Sequence, residues 1–144
     1  MKGINHELSA TLAGGISAIY LMTLHYPLSI PTRLFFGFAI LSLWFSCDND
    51  SPKSRPLQRW GPLKFIWLPF VEAGHREILH NPVWGAAILC FIPAIPIAAN
   101  AYYTHNFENV WILIGLIGST ELHIFTDKLS SIRTSIKKAF HLPF

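Results

Sequence analysis

Val83-Trp84-Gly85-Ala86-Ala87-Ile88-Leu89-Cys90-Phe91-Ile92-Pro93-Ala94-Ile95-Pro96-Ile97-Ala98-Ala99-Asn100-Ala101-Tyr102-Tyr103 is an unbroken stretch with no charged side chain. As a helix rising about 1.5 Å per residue it reaches roughly the 30 Å of a bilayer's hydrocarbon layer. A helix on the surface of a soluble domain keeps one polar face; this one is apolar all round. A strand is a poor alternative, because the run is long and does not alternate. Pro93 and Pro96 would kink or break a helix in water, whereas in a membrane bundle neighbouring helices can satisfy the freed carbonyls. Tyr102 and Tyr103 close the run where an aromatic belt belongs. The stretch therefore reads as a transmembrane helix.

Three more apolar runs lie around it, at about Leu8–Leu24, Leu34–Cys47 and Val110–Thr126. The second begins nearer Ile30 if Arg33 snorkels. Gly14, Gly15, Gly37, Gly115 and Gly118 fall inside these runs and permit close helix packing. Half of the 144 residues are hydrophobic and 13% are charged, against about 25% in soluble domains. If all four runs cross, the N-terminus, segment 48–82 and the C-terminal tail share one side. That side then carries Lys2, Lys53, Arg55, Arg59, Lys64, Arg76, Lys128, Arg133, Lys137 and Lys138, and the other side only Arg33. The asymmetry follows the positive-inside rule and puts both termini and segment 48–82 in the cytoplasm. The expectation is an all-α, four-helix transmembrane bundle. A soluble helical core stays as the alternative, since three of the runs are short.

Between helices 2 and 3, Trp60-Gly61-Pro62-Leu63-Lys64-Phe65-Ile66-Trp67-Leu68-Pro69-Phe70 mixes aromatics with lysine and reads as an interfacial segment. In the tail, Leu129, Ile132, Ile136 and Phe140 recur at helical spacing among Arg133, Lys137 and Lys138. This predicts a short amphipathic C-terminal helix on anionic lipid. Residues 1–131 would form one membrane domain and 132–144 a basic tail. The first run has no convincing small-residue cleavage site and reads as a retained span. Cys47 and Cys90 suggest neither a disulfide scaffold nor a thiolate zinc site. A net charge of +3, dispersed along the chain, gives no case for nucleic acid.

The same topology, built from Lys and Arg alone, gathers most of the other ionisable residues at one face. His6 and Glu7 begin the first run, Asp48 and Asp50 end the second, His75 and His80 precede the third, and His123 and Asp127 end the fourth. Charged groups at membrane depth are costly unless they pair or line a polar cavity. His123 and Asp127, one helical turn apart, share a face and can grip one ion. His75 and His80 are about 140° apart on an ideal helix, so they need a turn between them, or two metals. The mixed nitrogen and oxygen set suits Zn²⁺, with Mn²⁺ or Fe²⁺ as alternatives, better than Ca²⁺. Taken singly, an interfacial histidine, an Asp-x-Asp turn or a His–Asp pair is ordinary structure; convergence from separate segments makes the case. His25, His105 and His141 stay outside the cluster.

Four motifs in order carry a resemblance: Gly3-Ile4-Asn5-His6-Glu7; Asp48-Asn49-Asp50; the stretch from Arg59 to Phe70 followed by Gly74-His75-Arg76 and His80; and Leu122-His123-Ile124-Phe125-Thr126-Asp127 with Ser130 and Ser131. Over about residues 3–131 the chain resembles the metal-binding membrane proteins related to the YdjM-like, LexA-regulated, metal-dependent hydrolases. It departs from their pattern in having Cys47, not proline, before Asp48, and Leu79 and Asn81 around His80. The resemblance implies an α-helical fold and a divalent-metal site built from these histidines and aspartates.

The expected function is a membrane-associated metal-dependent hydrolase, with phosphoesters at the membrane surface as substrate class. The expected metal ligands are His6, Asp48, Asp50, His75, His80, His123 and Asp127. Arg76 is the expected phosphate-holding residue, and Glu77 or Asp50 the general base. The alternative is a non-catalytic metal-binding membrane protein, a structural site or sensor. Membrane lipid is the expected partner, and homo-oligomerisation stays open.

Overall fold

The computed structural model describes residues 2–74 and 77–139, with side chains described for 7–74 and 77–135. Among the described residues the chain is all-helical. Its α-helices are α1 (Lys2–Thr23), α2 (Ser29–Phe35), α3 (Arg55–Arg59), α4 (Leu68–Ala73), α5 (Pro82–Thr104) and α6 (Val110–Ala139). Three segments are long and apolar enough to cross a membrane: Ser29–Asp50, Pro82–Thr104 and Val110–Ser135. They match three of the four expected runs. The first run forms α1, which is not among the three.

The third run matches its expectation almost residue for residue. Pro82 opens α5 at a position where its missing N–H costs nothing, and Asn81 caps the helix, accepting from the N–H groups of Val83 and Trp84. Pro93 and Pro96 both sit inside the continuous helix. His105 ends α5 in the left-handed region, φ 52°, and His25 follows α1 at φ 60°. Histidine is among the residues that tolerate this region. These two histidines thus act as helix stops, consistent with their exclusion from the cluster.

The second run differs from a uniform helix. After α2 the backbone widens into a π-helical segment, Phe36–Ile40, then tightens into a 3₁₀ turn, Leu41–Leu43. Here it presses on α6. A β-carbon at Gly37 would overlap the carbonyl oxygen of Ile112, and one at Gly115 would overlap that of Leu34. The two backbones are in contact, an approach that only glycine allows. Phe38 fills the crossing, its side chain lying against Gly14 of α1 and Gly118 of α6.

The remaining difference lies in the tail. The described residues beyond 131 continue α6 without a break to Ala139, and no separate surface helix is formed there. The amphipathic period holds, but it extends an existing helix.

The middle segment is ordered. Helix α3, the 3₁₀ segment Gly61–Trp67 and α4 fold under the inner end of the second run. Trp67, 1% exposed, packs edge-on to Trp60 and Phe45 at centroid distances of 5.4 and 6.4 Å. Trp60 Nε1 and Asn49 Nδ2 both donate to the Trp44 carbonyl at 2.8 Å. Arg59 ties this segment to α1 through Glu7 (2.7 Å) and to the second run through the Leu43 carbonyl (2.8 Å). Leu57, Leu79, Leu89, Leu116 and Ile124 complete the buried core.

At the other end, Arg33 pairs with Glu108 and donates from Nε to Asn109 Oδ1 at 2.8 Å. Asn109 in turn donates to Asn100 Oδ1 at 2.9 Å. The one basic residue expected on the far side is therefore an ion-paired staple between α2 and the α5–α6 turn.

Candidate metal centre

Three separate elements build the cluster, each fixed by its own local chemistry. Asp48 and Asp50 lie in the 3₁₀ turn Cys47–Asp50, whose start is capped by Ser46 accepting from the Asp48 N–H at 3.3 Å. Asn49 between them is fully buried and anchored on Trp44. His80 stands one residue before the Asn81 cap of α5. The preceding turn lies against that helix so closely that a β-carbon on Gly85 would overlap the Leu79 carbonyl oxygen. His123 and Asp127 project from one face of α6, one turn apart, as expected.

The donor atoms converge. One ligand atom each from Asp48, His80 and His123 lies within 4.8 Å of the others. His123 Nε2 is 3.5 Å from Asp48 Oδ1. His80 Nε2 is 4.0 Å from the same oxygen and 3.6 Å from Asp127 Oδ2. On the far side of the ring, His80 Nδ1 is 3.3 Å from Asp50 Oδ2. The two imidazoles meet edge-on with centroids 5.5 Å apart.

These separations distinguish two readings. A nitrogen-to-oxygen hydrogen bond runs about 2.7–3.2 Å. Two donors each about 2.1 Å from one tetrahedral ion stand about 3.4 Å apart. The separations of 3.5 Å at His123 Nε2 and 3.6 Å at His80 Nε2 are close to the edge length of such a polyhedron. Charge points the same way. Asp48, Asp50 and Asp127 surround imidazoles, and Asp50 is 1% exposed. Asp48 and Asp127 are partly exposed, with 21% and 14% of their side chains accessible, and carboxylates gathered this closely favour a cation among them. The donor set fits a divalent ion.

The structure thus brings together Asp48, Asp50, His80, His123 and Asp127. His75 and Arg76 lie outside the described residues, and for His6 only the backbone, within α1, is described. Glu77 is exposed in the turn that leads to His80. Cys47 is buried and Cys90 half-buried, and both are free thiols.

Two cavities adjoin the cluster. A small one of about 30 Å³ borders Asp48 and His123 and is lined by Glu7, by Ser9, Ser42, Ser46, Ser119 and Thr120, and by apolar side chains including Ala10, Phe45 and Leu122. A larger one of about 230 Å³ borders His80 and Asp127 and is lined also by Ile124, Lys128 and Ser131. Sequence reasoning missed the serine and threonine lining. A signal existed, because Ser119 and Thr120 precede His123 by four and three residues and so share its helix face.

An all-helical chain with a His–Asp cluster at the meeting of three elements defines a helical metal-binding protein. The chain belongs to the family described as Uncharacterized metal-binding protein (DUF2227), which matches residues 2–98. The matched stretch includes Asp48, Asp50 and His80 and ends before α6, which supplies His123 and Asp127. An uncharacterized protein of Aquifex aeolicus (strain VF5) is 41% identical over 56 residues, 38% of this chain and 40% of that protein. The chain thus spans about two fifths of that relative's length. No solved structure matches the chain.

Proposed function

We propose that this is an integral membrane metalloprotein whose divalent ion is held by Asp48, His80, His123 and Asp127, and that it hydrolyses phosphoesters at the membrane surface, as its resemblance to the YdjM-like hydrolases implies. The observation that carries the metal reading is the convergence of Asp48, His80 and His123 from three elements. Zn²⁺ is the first choice for this nitrogen and oxygen set, before Mn²⁺ or Fe²⁺.

Asp50 plays a different part from the other aspartates. It faces Nδ1 of His80 while Nε2 faces the cluster. A carboxylate behind a metal-bound histidine fixes the ring's tautomer and orientation. Asp50 is therefore an orienting residue in this reading, and Asp48 the ligand from the Asp-x-Asp turn. His6 and His75 are further candidate donors.

Catalysis needs an open coordination position. Among the described residues cavities adjoin the proposed ligands on the Asp48–His123 and His80–Asp127 sides, which leaves room for an exchangeable position beside the ion. This favours a hydrolase over a closed structural site. A bound ion would acidify a nearby water and offset charge developing on a phosphoryl oxygen. Glu77, exposed beside the His80 turn, is the candidate proton acceptor, and Arg76 the candidate phosphate clamp.

For the membrane, the three apolar segments are joined in this reading by α1, whose Leu12, Ile16, Ile19 and Tyr20 are all exposed. Four spans put both termini and segment 48–82 on the cytoplasmic side. Helix α6 has 30 residues, about 45 Å at helical rise, so its basic end projects past a hydrocarbon layer of about 30 Å. His123 and Asp127 then lie near the inner boundary. Exposed Leu63, Phe65, Ile66 and Leu68 of the middle segment face the headgroup region. Residues 1–131 act as one domain, and self-association is compatible with this arrangement.

The testing experiment is hydrolysis of a generic phosphomonoester and phosphodiester by detergent-purified chain, metal-stripped and reloaded. Turnover restored by Zn²⁺ or Mn²⁺ and lost in Asp48→Ala supports the reading. A metal-loaded protein without turnover on either ester class leaves a non-catalytic metal site in its place.

A further inference from the structure

The two cavities beside the cluster differ in size and lining. The one at Asp48 and His123 is about 30 Å³. A water needs about 10–15 Å³ measured this way, so this space suits one or two waters. Glu7 and the serine and threonine side chains of its lining are polar groups able to hydrogen-bond such waters. It is too small for any phosphoester.

The other cavity, at His80 and Asp127, is about 230 Å³. Pockets for drug-sized ligands run from about 300 Å³ upward, so this one suits a single small group. Its walls follow one face of α6, with Ile124, Asp127, Lys128 and Ser131 recurring at helical spacing. Ile124 is a buried apolar wall, while Lys128 and Ser131 are exposed at the mouth. A lysine ammonium supplies donors and positive charge, and a serine hydroxyl supplies one more donor. A divalent ion held by His80 and Asp127 would border this cleft, offset the Asp127 carboxylate and add to the attraction of the Lys128 ammonium for an oxyanion.

We propose that the cleft between His80, Asp127, Lys128 and Ser131 is the anion site of the metal centre, taking one phosphate or phosphomonoester group held between the ion and the Lys128 ammonium. The inference rests on the proposed metal site and adds the side of approach: the anion enters along α6, and water is supplied from the side of the smaller cavity. A phosphomonoester lipid headgroup and a free phosphate present the same chemistry to this cleft.

The test is isothermal titration of inorganic phosphate into detergent-purified full-length chain, metal-free and Zn²⁺-loaded, for wild type, Lys128→Ala, Lys128→Arg and Lys53→Ala. Lys128 is exposed, so its variants keep the fold. Expected is phosphate binding to the Zn²⁺-loaded wild type alone, weakened about tenfold or more in Lys128→Ala with metal content intact. Lys128→Arg retains binding within a few-fold, and Lys53→Ala, at a residue that lines a different cavity with Arg55, Gln58 and Arg59, equals wild type. Competition by nanodiscs containing phosphatidic acid, but not by phosphatidylcholine alone, assigns the lipid source; phosphate binding without competition assigns the free anion. Equal binding by Lys128→Ala and wild type, or binding that ignores the metal, overturns the inference. Zn²⁺-loaded wild type that binds no phosphate overturns it and leaves the metal reading standing. Wild type that takes up no metal overturns both.

Discussion

Asp50 Oδ2 lies 3.3 Å from Nδ1 of His80, on the opposite side of the ring from Asp48 and Asp127. The two aspartates of one short turn therefore face opposite edges of the same imidazole. Partners behind a ligating histidine are worth about 10–100-fold in metal affinity. Asp50→Ala should weaken metal binding by about that factor without abolishing it, and Asp50→Asn should recover part of the loss. Competition with a chelator of known affinity measures this. Complete metal loss in a folded Asp50→Asn protein would instead make Asp50 a ligand.

Asn81 caps α5 one residue after His80. Replacing such a cap with alanine costs about 0.5–2 kcal/mol. Asn81→Ala should lower thermal stability by a few degrees and weaken metal binding more than a remote cap loss does, because the first turn of α5 holds His80. Asn81→Asp, which keeps the acceptor, should restore stability. Thermal melts with and without Zn²⁺ separate the two effects.

The crossing of the second run with α6 depends on Gly37 and Gly115, where the backbones touch. Gly37→Ala and Gly115→Ala should each destabilise by at least the roughly 1–3 kcal/mol typical of overpacking. Gly15→Ala, whose β-carbon meets nothing within 4 Å, should be neutral. Detergent-resistance melts of the three variants provide the comparison. A Gly37→Ala protein as stable as wild type contradicts the close crossing.

The proposed topology rests on the Lys and Arg asymmetry. Single cysteines at exposed Asn106 and Ser135 should react with membrane-impermeant reagents from opposite sides of the membrane. Modification of both from one side rules out the four-span arrangement.

Much of this was legible in the sequence because its signal is local. The apolar run from Val83 to Tyr103 became α5, and the four-residue spacing of His123 and Asp127 put both on one face of α6. What stayed hidden depends on contacts between distant segments. The π-helical widening at Phe36–Ile40 lies where Gly37 meets Ile112 and Phe38 enters between two other helices. The opposed positions of Asp48 and Asp50 depend on a 3₁₀ turn and on which edge of His80 each faces. The helical spacing of Leu129, Ile132 and Ile136 predicts a helix in the tail, but not its continuity with the fourth run, where no helix-breaking residue intervenes and α6 runs on to Ala139.

The most direct test of the metal centre is elemental analysis of detergent-purified wild type beside Asp48→Ala, His123→Ala and His25→Ala, at matched folding by circular dichroism. Wild type and His25→Ala should carry stoichiometric divalent metal after reconstitution, and Asp48→Ala and His123→Ala close to none. Full metal content in the Asp48→Ala and His123→Ala proteins, or a wild type that retains no metal, would contradict the account.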